Sequence, residues 1–427
     1  MIKLPIPHDF GYPDMFQMRQ HPDIPAAVDV SETLAAEWEK YSHSLAVQPG
    51  DRIAVGIGSR DISDLVLIVK TVVTWLKQIG ADPFITSAMG SHGGATVQGQ
   101  TEILAKKGIT ASQMGVPVRV TMDVVPMGEA DGIPLYMDRL AHEADGIVLI
   151  NRVKPHTDFT GPIESGVIKM LSIGLGNQKG ADLYHRAAVG RGFSPVLLAV
   201  GRHLLQTTRF LFGVAVVENQ DKAICDIRLG TAQNMERIEA RLLKKAYQGL
   251  PGIPLETIDL LIVDEMGKDI SGTGMDPNVV GGKGVCVWSD DRPLPDITRI
   301  FVRDLTPASK GNAMGLGMVH VTTRKLVDKI DMQTTAVNAV TACCPEDCKI
   351  PLTLATEKEA VAAALLTIRP YTIEDLRVVH IKNTRDISRM LVSKGCLPGL
   401  EKMQGISIIS DASAMTFDKT GNLSAYV

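Results

Sequence analysis

The residues best suited to chemistry are concentrated between Asn151 and Gly190. Lys154 and His156 flank a proline directly after an apolar run, while Lys169 interrupts a second apolar run and His185 follows further along. Histidine supplies a base or a metal ligand near neutral pH. A lysine amine removed from water becomes neutral and able to bond a carbonyl or thiocarbonyl carbon. The stretch therefore predicts a site for acid–base, metal or covalent chemistry.

Two earlier loops carry residues of the same kind. Arg60 follows an apolar run at 52–58 that is typical of a buried strand, and His92 follows a similar run at 83–88, among glycines that leave its ring accessible. Helix-like segments separate these runs, which predicts βαβ units and a parallel sheet. Because ligands bind beyond the carboxyl ends of such strands, we expect the loops bearing Arg60, His92 and His156 at one sheet edge.

Each of these residues also has an ordinary structural interpretation. A lysine in an apolar run can reach water from the side of a helix, and a single histidine in a loop or helix is commonly a packing residue. Imidazoles at two separate strand ends favour a general-base pair, and glycine-rich chain on both sides of Lys169 favours a covalent anchor. The glycines at 174 and 176 lack the third glycine of a dinucleotide fingerprint, so they indicate a turn.

Composition limits the class of protein. The chain has 427 residues, a net charge of −4 and few aromatic residues, which argues against a nucleic-acid-binding surface. Its apolar runs are too short for a membrane span, and its first residues lack the apolar core of a signal peptide. Six cysteines in so long a chain do not predict a disulfide scaffold, and we expect Cys343, Cys344 and Cys348 to be buried thiols. A reduced, cytoplasmic protein is the expectation.

The alternation of strands and helices predicts an α/β fold with two α/β domains and mainly parallel sheets. Residues 1–255 are expected to form an N-terminal domain that carries the catalytic and cofactor residues. Residues 256–404 are expected to form a C-terminal domain, and the tail at 405–427 to pack back onto the first domain. The active site is expected in the cleft between the two domains.

The order of these motifs resembles that of the lactate racemase family. The resemblance rests on a strand followed by Arg60, Gly-Ser-His-Gly around His92, Val-Lys-Pro-His ending at His156, and Ser-Gly before Lys169, with His185 beyond. Members of that family are nickel-dependent racemases and epimerases of 2-hydroxyacids that use a pincer nucleotide. The similarity covers most of the chain, although only these motifs are specific.

The resemblance implies roles for these residues. Lys169 would tether the nickel-pincer nucleotide, a pyridinium-3-thioamide-5-thiocarboxylic acid mononucleotide, and His185 would bind its nickel. His92 and His156 would be the catalytic acid–base pair, and Arg60 would bind the substrate carboxylate. Partners would be a small-molecule hydroxyacid and the enzymes of cofactor biosynthesis, with no nucleic acid and no membrane.

The reaction implied by the resemblance is inversion of a 2-hydroxyacid through a 2-oxo acid. The α-hydrogen would leave as hydride to the cofactor and return to the other face, while a histidine on each side handles the hydroxyl proton. The resemblance also extends to a Lys-Gly in a loop that contains Pro-Asn, and it implies that Lys283 is a second substrate contact.

Several positions depart from the family pattern. Ile57 replaces an aspartate, Asp61 replaces a proline, Val280 replaces a polar substrate contact, and residues 162–164 lengthen the segment between the Pro-His motif and the lysine. These changes favour a sugar acid (an aldonate) or another polar hydroxyacid over lactate. Two alternatives stay open: a Schiff-base lyase or aldolase that uses Lys169, and a non-catalytic homologue that binds a hydroxyacid or a nucleotide.

Overall fold

A computed structural model describes residues 6–7, 10–21, 23–250, 252–282, 284–292 and 294–424. In chain order the strands are β1 (Asp14–Gln20), β2 (Arg52–Ile57), β3 (Asp82–Ser87), β4 (Val124–Ala130), β5 (Ile133–Asp138), β6 (Gly146–Arg152), β7 (Phe210–Glu218), β8 (Ile224–Gly230), β9 (Thr257–Met266), β10 (Asp296–Leu305), β11 (Val321–Thr323), β12 (Leu352–Leu354), β13 (Val378–Ile381), β14 (Arg389–Ser393), β15 (Ile406–Ile408) and β16 (Ser413–Ala414).

The α-helices in chain order are α1 (Val30–Tyr41), α2 (Leu65–Gln78), α3 (Val97–Lys106), α4 (Ala111–Met114), α5 (Arg139–His142), α6 (Val167–Lys169), α7 (Asn177–Ala188), α8 (Phe193–Thr207), α9 (Met235–Gln248), α10 (Pro277–Val280), α11 (Arg324–Val327), α12 (Met332–Thr341), α13 (Glu357–Leu365) and α14 (Leu397–Leu400). A π-helical segment, Met170–Gly174, continues α6. None of the helices in the described ranges is long and apolar enough to cross a membrane.

Residues 24–250 form one compact unit around a sheet in the order β3-β2-β6-β7-β8. β3, β2, β6 and β7 run parallel, and β8 returns antiparallel beside β7. β6 is buried at every residue except its last, which is typical of a strand covered on both faces. α2 turns an apolar stripe that includes Ile68, Val72 and Leu76 into this core. β4 and β5 pair separately as a hairpin.

The described parts of residues 1–23 and 251–427 form a second unit. Its sheet has the order β12-β11-β10-β9-β13-β14-β1-β15, with β16 also paired to β1. The run from β12 to β13 is parallel, and β14, β1 and β15 alternate in direction. The chain thus has an α/β fold with mainly parallel sheets, as the sequence predicts.

The division of the chain differs from the predicted boundaries at both ends. β1 lies between β14 and β15, so the first residues belong with 251–427 and not with an N-terminal domain spanning 1–255. The tail beyond residue 405 pairs with β1 through β15 and β16, and so belongs to the sheet of the 251–427 unit. β1 escaped prediction because its sequence, DMFQMRQ, alternates only weakly and gains its partners from the far end of the chain.

The cysteines also differ from expectation. Cys344 forms a disulfide with Cys286, 58 positions away in sequence, and is not a thiol. Cys343 and Cys348 lie outside that bond and are only partly buried. The sequence gives no signal for this pairing, because the partner is brought to the end of α12 by the fold rather than by spacing.

Candidate active site

The parallel pairing of β2, β3 and β6 sends three loops out at one sheet edge. Ile57 at the end of β2 lies in register with Ser87 at the end of β3 and with Ile150 of β6, which extends two residues further. The loops that follow carry Arg60, His92 and His156, respectively. The expectation that these three loops share an edge is confirmed.

The loop after β6 is closed at its base and anchored by apolar side chains. The backbone N–H of Lys154 donates to the carbonyl of Ser165 at 3.1 Å, and the reverse bond is 3.2 Å. Between them, Phe159 and Ile163 are buried at 0% and 2% exposure. Because the two ends of the loop are hydrogen-bonded to each other and its apolar side chains are buried, His156 is held in a defined position.

A buried carboxylate spans this turn. Glu164, 3% exposed, accepts the backbone N–H of His156 at 2.6 Å through Oε2. Its Oε1 accepts the N–H of Gly161 at 3.1 Å and the hydroxyl of Tyr247 on α9 at 2.9 Å. Hydrogen bonds of this number compensate a carboxylate for its lost water. The residues that lengthen this segment relative to the family pattern therefore supply its internal support.

The His156 ring has two partners within its own turn. Its Nδ1 accepts the backbone N–H of Asp158 at 3.1 Å, which is the hydrogen bond of the neutral ring with the proton on Nε2. The carboxylate of Asp158 lies 3.7 Å from the same nitrogen. If Nδ1 instead carries a proton, the nearby negative charge of that carboxylate favours this form, and Nε2 is then the basic nitrogen.

Lys169 ends α6, whose start is held by a second buried acid. Glu239 of α9 accepts the backbone N–H of Val167, and that of Ile168 at 3.3 Å. Burial raises the pKa of Glu239 to about 8. Gly166 precedes the helix because a Cβ there would lie 2.1 Å from a Glu239 oxygen. The π-helical turn after Lys169 is a local irregularity of a kind common at functional sites.

The Lys169 amine is chemically distinctive. Among the described residues it makes no hydrogen bond and no ion pair, and its Nζ lies 5.8 Å from the ring centre of Phe159 and 5.9 Å from that of Phe193. Burial of the amine, followed by the like charge of Lys154, lowers the pKa of Lys169 to about 7. Close to half of this amine is therefore neutral, and so nucleophilic, at neutral pH.

His185 lies on α7 against the same aromatic rings. Its ring centre is 5.1 Å from that of Phe193, and its Nδ1 lies 2.7 Å from the carbonyl oxygen of Ala181. Since a carbonyl can only accept, Nδ1 carries the proton and Nε2 carries the lone pair. Burial, followed by the charge of Lys169, lowers the pKa of His185, which favours the neutral form that binds metals.

Phe159 and Phe193 thus join three of the residues that the sequence singles out. The two rings stack with centres 4.8 Å apart, and the His156 ring lies tilted against Phe159 with centres 4.3 Å apart. The structure therefore brings Lys169, His156 and His185 around one aromatic pair. Sequence reasoning missed these two phenylalanines, which read as ordinary core residues.

Arg60 and His92 lie on neighbouring loops of the same edge. The Nδ1 of His92 contacts the hydroxyl of Ser59, the residue before Arg60. The Arg60 side chain reaches solvent, but the surrounding protein removes part of the water from its guanidinium. This loss of water, followed by the like charge of Arg152, lowers the pKa of Arg60. The charge of Arg60 also contributes to lowering the pKa of Lys169, which places the two cations near each other.

The positions that depart from the family pattern have different surroundings. Ile57 and Val280 are fully buried in the apolar cores of their respective units, so their side chains pack and do not present polar contacts to a ligand. Lys283, the second expected substrate contact, lies outside the described residues.

No protein-family model matches the chain, and no curated protein matches it in sequence. Among solved structures it is similar to the lactate racemase apoprotein from Thermoanaerobacterium thermosaccharolyticum, with 14% sequence identity and a TM-score of 0.47. That similarity covers 67% of this chain and 69% of the other. It is too loose to assign the chain to a family or to support a function.

Proposed function

We propose that the protein is a racemase or epimerase of a 2-hydroxyacid that depends on a nickel-pincer nucleotide, with a sugar acid or another polar hydroxyacid preferred over lactate. The observation that carries the proposal is the Lys169 amine. Its pKa is lowered to about 7, and it shares the Phe159–Phe193 pair with His156 and His185.

The donor chemistry of this cluster fits the cofactor. A neutral amine on Lys169 can form the thioamide that tethers it. The lone pair on Nε2 of His185 can bind nickel, for which imidazole is a suitable ligand, and the Ala181 carbonyl fixes the required tautomer. When bound, the nickel-pincer nucleotide supplies a hydride acceptor beside the substrate carbon.

The remaining residues would bind the substrate and move its hydroxyl proton. Arg60, which makes no hydrogen bond or ion-pair contact among the described residues, can hold a carboxylate in bidentate fashion. His92 and His156 would serve as the acid–base pair, one for each face, and the Asp158 carboxylate would accept the Nδ1 proton of His156 when Nε2 acts as the base. Lys283 is proposed as the second contact to the substrate.

Two measurements test the proposal on protein made together with the cofactor-biosynthesis enzymes. Intact mass and peptide mapping should find the nucleotide adduct on Lys169, and the Lys169→Arg variant should carry none. Incubation with α-deuterated hydroxyacids and aldonates in ordinary water should invert the α-carbon with the deuterium retained. Absence of both nickel and adduct would rule the proposal out, and inversion with loss of deuterium would replace hydride transfer by deprotonation.

The same lowered pKa of Lys169 favours a second candidate, a Schiff-base lyase or aldolase. In that case, borohydride should trap a keto acid on Lys169 in protein that contains no metal. If hydroxyacids bind the loaded protein with no inversion and borohydride traps nothing, the chain is instead a non-catalytic binding homologue.

A further inference from the structure

The loop that presents His156 is supported from within the protein by a buried acid, Glu164. Glu164 lies near the end of the loop. Its carboxylate accepts hydrogen bonds from the backbone N–H groups of His156 and Gly161. From α9, the hydroxyl of Tyr247 donates to the same carboxylate. We propose that Glu164, held by Tyr247, is a positioning residue for His156, and this inference rests on the proposed function.

The argument begins with the cost of burying this charge. A carboxylate at 3% exposure is stable only where donors replace its water. Glu164 meets this condition with two backbone N–H groups and one hydroxyl, at 2.6, 3.1 and 2.9 Å. Moving the His156 backbone would leave that charge short of a donor, so the carboxylate resists any displacement of the turn.

The backbone of this loop then sets the orientation of the His156 ring. The ring accepts from the N–H of Asp158, and the Thr157 hydroxyl donates to the Asp158 carboxylate at 2.8 Å. All of these contacts lie between the two backbone groups that Glu164 fixes. The orientation of the nitrogen offered to the substrate therefore follows from the hydrogen bonds of Glu164.

The support also links the two chemical segments. α9 carries both Tyr247, which holds Glu164, and Glu239, which binds the start of the helix that ends in Lys169. One helix thus holds the base and the tethering amine through two buried acids, Glu164 and Glu239. A displacement of about 1 Å at such a site can cost on the order of 100-fold in rate.

The test compares Glu164→Gln and Tyr247→Phe with Glu129→Gln, an exposed glutamate on the hairpin, as the matched control. In cofactor-loaded enzyme, Glu164→Gln should lower kcat on the order of 100-fold with little change in KM, because substrate binding by Arg60 is retained. Tyr247→Phe keeps the carboxylate and should show a smaller loss, and Glu129→Gln none. Thermal unfolding identifies any variant that fails to fold.

A second readout does not depend on turnover. With ¹⁵N-labelled histidine, the backbone amide proton of His156, which donates to a carboxylate, should resonate downfield and move upfield in Glu164→Gln, but not in Glu129→Gln. An unmoved amide signal, or a moved signal with unchanged kcat, would overturn the inference. If the loaded wild-type protein is inactive on every hydroxyacid, the proposed function fails, and the amide signal alone then decides whether Glu164 holds His156.

Discussion

Lys169 is the residue whose properties depend most on its surroundings. Its pKa of about 7 results from burial against Phe159 and Phe193 and from the nearby charge of Lys154. Lysine in an apolar run is compatible with a side chain that reaches water, and the sequence alone left both interpretations open. The absence of any hydrogen bond or ion pair to the amine among the described residues favours the chemical one.

The lowered pKa predicts how Lys169 reacts with small acylating reagents. Only the neutral amine reacts, so the rate at Lys169 should rise with pH and level off above about pH 7. Lysines at protein surfaces, with an ordinary pKa of about 10.4, should keep accelerating over the same range. Competitive labelling with acetic anhydride, read by peptide mass spectrometry against exposed Lys40, measures this.

A variant of the aromatic pair checks the cause. Phe159→Ala opens the cluster to water. The pH at which the acylation rate of Lys169 reaches half its maximum should therefore rise towards that of an ordinary lysine. If the acylation rate of wild-type Lys169 reached half its maximum only above pH 9, the amine would not be buried as the structure describes.

Two acids are among the residues that sequence reasoning missed. Nothing in the sequence marks Glu164 or Glu239, yet each is almost fully buried and holds a backbone segment. Nothing in spacing could have shown that Glu239 binds a helix start 72 positions earlier. Only the fold brings these groups together.

At the level of secondary-structure elements, a strong periodicity of apolar residues was sufficient to predict a helix or a strand, and a weak periodicity was not. The sequence pattern at 30–41 predicts a helix, and α1 has those bounds. The amphipathic pattern at 234–248 predicts another, which begins one residue later as α9. The pattern near 322–330 also predicts a helix, but the structure has β11 followed by the short α11 there. β1 and the β4–β5 hairpin escaped because partly exposed strands lack a continuous apolar run.

The start of α6 gives a prediction at this scale. In Gly166→Ala, the added methyl would clash with an oxygen of the Glu239 carboxyl group, so that group must shift away from the N–H groups of Val167 and Ile168. We expect the protein to lose at least about 2 kcal/mol of unfolding free energy, because buried donors and an acceptor lose their partners. Hydrogen exchange of the peptide that contains Lys169 should accelerate.

Gly252→Ala is the matched control, because a methyl there meets nothing within 4 Å. Its exchange in the same peptide should equal that of the wild type. If Gly166→Ala also exchanges like the wild type, Glu239 does not hold α6 as described.

At the scale of the whole molecule, the disulfide is the feature least expected from the sequence. Alkylation of denatured, unreduced protein should modify the four cysteines outside the bond, and all six after reduction. Cys286→Ser should lower the unfolding free energy by about 2–4 kcal/mol under oxidising conditions, because the bond constrains the unfolded chain. Cys343→Ser, beside the bonded Cys344, is the control and should have a smaller effect. Six modified cysteines in unreduced protein would contradict the bond.

The position of β1 between β14 and β15 has a consequence for how the polypeptide is made. Gln17 hydrogen-bonds Ser410, and 393 positions separate the two, so a ribosome adding about 5–20 residues per second completes the pair only after roughly 20 to 80 s. During that interval, residues 24–250 can emerge and fold as a unit, while β1 still lacks the partner strands β14 and β15. Newly made chains are therefore most open to aggregation or to binding by chaperones at β1.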